Sequence, residues 1–233
     1  MIYRGSVLAA CTALLIGSGA SVDATGSCAT DAMLVFDGSA SMGEIGFNAQ
    51  APTRLDDARL AMHRAMPQIA PFRRVGLLVY GPNGADGCTG IDLRFAPVPD
   101  ASQLVVEELD QLAPSGLTPI AASVRAAAEA LDYKRAPGIV VLVTDGNETC
   151  GGRPCALSTE LANEAPDLTV HVIGFRVVND PFSWNSPEAP DYGDGQTVAK
   201  CLSDSTGGTY ASTETVDELA KALRDTLGCA LIG

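Results

Sequence analysis

The chain has 233 residues, 46% of them hydrophobic and 5% aromatic, which suits one domain with a mostly aliphatic, alanine-rich core. Its formal net charge is −13, and no Lys/Arg cluster offsets it, so an electrostatic grip on nucleic acid or on an anionic membrane surface is excluded. The acidity reads as solvated surface.

Residues 1–24 read as a secretory signal peptide. Arg4 supplies the positive n-region, residues 6–16 an apolar stretch too short to span a bilayer, and Val22-Asp23-Ala24 a small-residue cleavage site. Residues 25–233 then form one exported domain, with no internal repeat or linker and no membrane span after signal cleavage. Leu8-Ala9-Ala10-Cys11 also fits a lipobox, so a lipid anchor through Cys11 is an alternative. An uncleaved anchor is a further one.

The exported part alternates strand-like and helix-like segments. Residues 32–36 are a continuous apolar run, the mark of a strand buried on both faces. Residues 53–66 read as a helix with Leu55, Ala58, Met62 and Met66 on one side, stopped by Pro67 and then Pro71. Residues 74–80 are a second strand, and Gly81-Pro82-Asn83-Gly84 is turn chemistry. Residues 92–98 alternate and end in Pro97-Val98-Pro99, which suits an edge strand. Residues 101–112 and 119–133 are helical, 138–144 a strand, 155–163 a helix and 168–175 a strand. Residues 207–211 are a last strand and 216–227 the closing helix. This alternation predicts a doubly wound α/β fold with a mostly parallel central sheet, one antiparallel edge strand and helices on both faces. Residues 177–195 interrupt it as a long Pro-, Asn- and Asp-rich loop.

Removing Cys11 with the signal leaves Cys28, Cys88, Cys150, Cys155, Cys201 and Cys229. An even number behind an export signal argues for disulfides in an oxidising compartment, with many pairings open. Cys28 precedes the first strand and Cys229 ends the last helix, so these two should meet at the base of the fold. Cys150 and Cys155 could close a local loop, which leaves Cys88 with Cys201. The spacings are too irregular for a zinc cluster.

Chemistry concentrates in Asp37-Gly38-Ser39-Ala40-Ser41, directly after the first buried strand. A carboxylate and two hydroxyls at alternate positions can converge on one hard cation, Mg²⁺, Mn²⁺ or Ca²⁺. Thr118 enters a helix and Asp145 ends another buried strand. In open α/β sheets ligands bind outside the carboxyl ends of the strands, so three loops meet at one spot. Singly, each residue also has a plain role: Asp37, Ser39 and Ser41 in a turn, and Thr118 as a helix N-cap with Pro119 in the first turn. Glu44 and Glu148 lie nearby and read as solvated surface. His63 and His171, in a helix and a strand, read as structural.

In this order, Asp-x-Ser-x-Ser, then Thr, then Asp, the chain resembles the von Willebrand factor A family and its metal-ion-dependent adhesion site, over roughly residues 27–229. Residues 143–155 look like a secreted bacterial branch of that family. The resemblance implies a Rossmann-like fold and a Mg²⁺ site, with Mn²⁺ or Ca²⁺ as alternatives, formed by Asp37, Ser39, Ser41, Thr118 and Asp145. It also implies that Asp37 and Asp145 act largely through bound water or hydrogen bonds. Hydroxyls supply oxygens without charge, so the ion would keep much of its charge for a carboxylate from outside. Structural calcium cages use more direct carboxylates.

The expected partner is a protein with an exposed Asp or Glu, or a glycan carboxylate. Phe182, Trp184 and Tyr192 in the long loop are candidates for the recognition surface. The protein is expected to be secreted or periplasmic and not an enzyme: no histidine ends a strand on that face, no G-x-S-x-G elbow exists, and Ser39 and Ser41 have no visible base. A metal-dependent hydrolase and an envelope domain whose metal only stabilises loops are the alternatives.

Overall fold

The computed structural model describes Met1 and residues 28–45, 51–165, 167–177 and 199–229. The expected signal peptide with Cys11, and Phe182, Trp184 and Tyr192, lie outside the described residues. Among the described residues no helix is long and apolar enough to cross a membrane.

Strands β1 (Asp31–Asp37), β2 (Val75–Tyr80), β3 (Ile91–Val98), β4 (Gly138–Thr144), β5 (Leu168–Phe175) and β6 (Tyr210–Thr213) form one sheet in the order β3-β2-β1-β4-β5-β6. All neighbours are parallel except β2 and β3. β3 is therefore the antiparallel edge, as its prolines require. The strand order reverses at β1, the point where an open α/β sheet offers a crevice to ligands.

Helices α1 (Arg54–Ile69), α2 (Ser102–Asp110), α3 (Ile120–Ala130), α4 (Pro154–Glu164), α5 (Lys200–Thr206) and α6 (Val216–Leu227) cover both faces. Successive residues of a strand point to opposite sides. Accordingly Leu34 and Phe36 of β1 pack with α1, α2 and α6, while Met33 and Val35 pack with α3, α4 and α5. Capping boxes start α1, through Thr53 and Asp56, and α6, through Thr215 and Glu218.

Several local expectations are corrected. Helix α1 runs through Pro67 to Ile69. Pro67 lies on the exposed face, where the carbonyl it frees can turn to water. The glycines at 207 and 208 end a helix rather than begin a strand: Gly207 adopts φ +74 as the C-cap of α5, and Gly208 N–H returns to Ser203 O. Strand β6 starts only at Tyr210. Thr118 is not an N-cap; Pro119 occupies that position of α3, without a side-chain cap.

Cys28 pairs with Cys229, joining the segment before β1 to the end of α6. The other pairs are Cys88–Cys150 and Cys155–Cys201, not Cys150–Cys155 and Cys88–Cys201. The reason is α5, which short length hides in the sequence. It packs beside α4 and brings Cys201 to Cys155 in the first turn of that helix. Cys150 is then left to the loop between β2 and β3, which carries Cys88.

Candidate metal centre

Asp37 ends β1 directly opposite Tyr80, the last residue of β2, and one strand over from the end of β4. It is fully buried and accepts four hydrogen bonds. Ser39 N–H (2.8 Å) and Ser39 Oγ (2.5 Å) donate to Oδ1. Tyr80 OH (2.7 Å) and Thr144 Oγ1 (2.8 Å) donate to Oδ2. Burial, then the charge of Asp37, push the Tyr80 phenol well above its ordinary pKa, so it stays a donor. A carboxylate engaged on both oxygens orients its neighbours and is poorly placed to serve as the principal ligand of an ion.

Ser39 Oγ lies 3.1 Å from Ser41 Oγ. Ser41 Oγ in turn donates to Asp145 Oδ1 at 2.8 Å. Asp145, in the loop after β4, is 2% exposed. Its carboxyl is pushed up to about 7, by burial first and then by the charge of Asp37, against the Ser41 hydrogen bond and Arg54. Arg54, the first residue of α1, reaches back over the site. Its Nη1 donates to Ser41 O (2.8 Å), Glu44 Oε2 (3.0 Å) and Asp145 Oδ2 (3.2 Å).

The Thr118 loop is stitched to the same turn. Ala40 N–H donates to Gly116 O (3.2 Å) and Ser115 N–H to Gly38 O (2.9 Å). Gly116 takes φ +76, and a Cβ there would collide with the Gly81 carbonyl, so only glycine lets these two loops cross. Thr118 is 5% exposed, with its N–H on Thr149 Oγ1 (2.9 Å).

The structure thus brings Asp37, Ser39, Ser41 and Asp145 together as two hydrogen-bonded pairs whose hydroxyls lie 3.1 Å apart, and sets Thr118 two residues beyond its contact with that turn. Glu148 is not surface. It is 1% exposed, and it accepts from Ala121 N–H (2.9 Å) and Cys150 N–H (2.8 Å). It serves the start of α3, where an acid is favoured. Glu44 is exposed and pairs with Arg54. His63, on the exposed face of α1, faces Asp110, and His171 in β5 contacts Thr209.

Tyr80, Thr144 and Arg54 were not legible as site residues. For Tyr80 the sequence shows only a tyrosine ending the second strand; its place beside Asp37 comes from the pairing of β1 with β2.

These residues fit a hard cation. Among the described residues no three His, Cys, Asp or Glu side chains gather as a metal cluster; the donors here are hydroxyls backed by two carboxylates. With Asp145 ionised, Ser39 Oγ donates to Asp37 and Ser41 Oγ to Asp145, and neither hydroxyl has a proton left for the 3.1 Å contact between them. Two oxygen lone-pair regions therefore face each other, an arrangement a cation relieves.

The sequence model of the von Willebrand factor type A domain matches residues 32–148. The protein YwmD of Bacillus subtilis (strain 168) is 29% identical over 203 residues, covering 83% of this chain and 83% of its own. Among solved structures, the pilus adhesin SpaC from Lactobacillus rhamnosus GG superposes with a TM-score of 0.64 at 14% identity, over 85% of this chain and 30% of that one. Proximal thread matrix protein 1 from the mussel byssus, solved with a zinc-occupied MIDAS motif, gives a TM-score of 0.57 at 18% identity, over 87% and 46%. At such identities these two likenesses speak to fold alone.

Proposed function

Because the chain belongs to the von Willebrand factor type A domain family, we propose that it is an exported, non-enzymatic binding module whose Asp37, Ser39, Ser41, Thr118 and Asp145 form a metal-ion-dependent adhesion site for an acidic group on a protein or glycan. The observation that carries this reading is the facing pair Ser39 Oγ and Ser41 Oγ, each with its proton committed to an aspartate. When bound there, a divalent ion such as Mg²⁺ supplies an electrophilic position for a carboxylate from outside.

The chain's own residues divide the remaining work. Asp37, fixed by Tyr80 and Thr144, orients Ser39. Asp145 orients Ser41. Arg54 offsets part of the negative charge and holds the Ser41 backbone. The two aspartates accept from Ser39 and Ser41 and so fix both hydroxyls, which we read as serving ion binding rather than hydrolysis. An adhesin and a byssal protein among the fold's neighbours support, by analogy, a role in attachment. Three disulfides support an oxidising compartment outside the cytosol.

Titration calorimetry with Mg²⁺ and Mn²⁺ tests the reading. Wild type should bind one ion and Ser41→Ala should bind at least about tenfold more weakly while keeping its fold. Equal affinities would remove the basis for the site. Envelope proteins captured in Mg²⁺ and released by EDTA would then identify the acidic partner. Metal-dependent stabilisation without any such partner would point instead to a structural ion.

A further inference from the structure

We infer that the Cys88–Cys150 disulfide is a clamp that positions Thr118 in the metal centre, an inference that rests on the reading of the site given above. Residues 117 and 118 lie between two loops. On one side Leu117 N–H donates to Gly87 O at 2.8 Å. On the other, Thr118 N–H donates to Thr149 Oγ1 at 2.9 Å, and Thr149 N–H returns to Thr118 O at 3.1 Å. Gly87 and Thr149 each immediately precede a cysteine of the same disulfide. The covalent bond therefore closes a ring around Leu117 and Thr118, one residue beyond the hydrogen bonds that hold them.

Beyond these bonds, residues 115 and 116 are tied to the Asp37 turn and Cys150 N–H to Glu148, while the loop tips are left to solvent. Asn83, Ala85, Asp86 and Thr89 are exposed, as is Thr149. The turn around Cys88 is held by its own chemistry, with Cys88 N–H and Thr89 N–H both on Asp86 Oδ1 at 2.9 Å. Loops with few buried apolar contacts open locally at low cost. A crosslink at that place therefore orders the Thr118 backbone more than it stabilises the whole domain. Thr118 is also the ligand candidate without a hydrogen bond to the Asp37–Ser39 and Ser41–Asp145 pairs, so its position depends on the loops that flank it. Cys88, Cys150 and Thr149 are positioning residues; none of them supplies an oxygen to the ion.

The other disulfides provide the control. Cys28–Cys229 spans 201 residues and lies at the opposite end of β1, whereas Cys88–Cys150 spans 62. In the chain-entropy picture the longer bridge contributes more to global stability. The clamp predicts that stability and ion affinity separate.

The experiment compares Mn²⁺ affinity, melting temperature and amide exchange for wild type, Cys88→Ser/Cys150→Ser, Cys28→Ser/Cys229→Ser and Thr149→Val. The first pair should weaken Mn²⁺ binding about tenfold or more, and the second should leave it within about twofold despite the larger fall in melting temperature. Thr149→Val keeps the disulfide and removes the Thr118 partner, so it should weaken binding too, and it decides the matter if the double variant does not fold. Without metal, the Leu117 and Thr118 amides should exchange faster in Cys88→Ser/Cys150→Ser than in wild type. Unchanged affinity and unchanged exchange in that variant, or in Thr149→Val if only that one folds, would overturn the clamp. A wild type that binds neither Mn²⁺ nor Mg²⁺ would sink the adhesion-site reading instead, and the exchange data would still judge the loop geometry.

Discussion

Arg54 Nη1 lies 3.2 Å from Asp145 Oδ2, and both side chains are largely shielded from solvent, at 14% and 0% exposure. A guanidinium thus already neutralises the carboxylate that supports Ser41. It also holds the Ser41 carbonyl. These two roles oppose each other for a divalent ion. The repulsion is roughly 1–3 kcal/mol at the effective dielectric of such sites, while a single hydrogen bond to a carbonyl is worth about 0.5–1.5 kcal/mol. Electrostatics wins. Arg54→Gln should bind Mg²⁺ several-fold more tightly than wild type, melt lower without metal, and gain more on adding it. Calorimetric titration at two salt concentrations checks this; equal or weaker binding would show that Arg54 mainly orders the loop.

Asp145 makes the metal-free protein sensitive to pH. Burial pushes its carboxyl up to about 7 in the fold, from an ordinary value of 3.8. The folded state therefore holds the extra proton between about pH 4 and 7, and the stability that this proton contributes is lost as pH rises through that window. Asp145→Asn carries no such charge. In EDTA, wild type should lose about 1–3 kcal/mol relative to Asp145→Asn between pH 5 and pH 8. Differential scanning calorimetry at the two pH values reads the gap directly. A gap that does not change with pH would mean that Asp145 ionises like an exposed acid.

Asp37 and Ser41 should behave differently on truncation, although both belong to the same short sequence pattern. Asp37→Ala leaves the buried hydroxyls of Tyr80 and Thr144 without the acceptor they share, at a cost of about 2–5 kcal/mol. Loss of ion binding in that variant would be mixed with loss of structure. Ser41→Ala deletes one partly buried hydroxyl and should cost no more than about 1.5 kcal/mol. Urea titration of the two variants should show a markedly lower midpoint only for Asp37→Ala. Similar midpoints would mean that water replaces the lost carboxylate.

Much of this site was visible in the chain because its residues sit at the ends of uninterrupted apolar strands. The runs before Asp37 and Asp145 have no alternation, so both strands had to be central, and a central strand's carboxyl end is where α/β folds bind ligands. What stayed hidden depends on register and distance. Tyr80 looks like the last apolar residue of β2 until pairing sets it beside Asp37. Arg54 looks like a first-turn surface residue until α1 is placed over the Ser41 turn. Glu148 is an acidic residue type and reads as solvated, but the open N-terminus of α3 takes it inside. The disulfide pairs turned on a single unseen element, the seven-residue α5.

That dependence yields a direct covalent test. Non-reducing proteolysis and mass spectrometry should recover Cys88 linked to Cys150 and Cys155 linked to Cys201, with no free thiol among Cys28, Cys88, Cys150, Cys155, Cys201 and Cys229. Cleavage between Cys150 and Cys155 is the informative step. Arg153 lies between them, but Pro154 follows it and blocks trypsin, so a protease with other specificity, acting near Gly151 and Gly152, is needed. A Cys150–Cys155 crosslink would keep both halves of that cut together after all other bonds are mapped. It would also release Cys88 and Cys201 to pair with each other, and so overturn both the Cys88–Cys150 and the Cys155–Cys201 bridges.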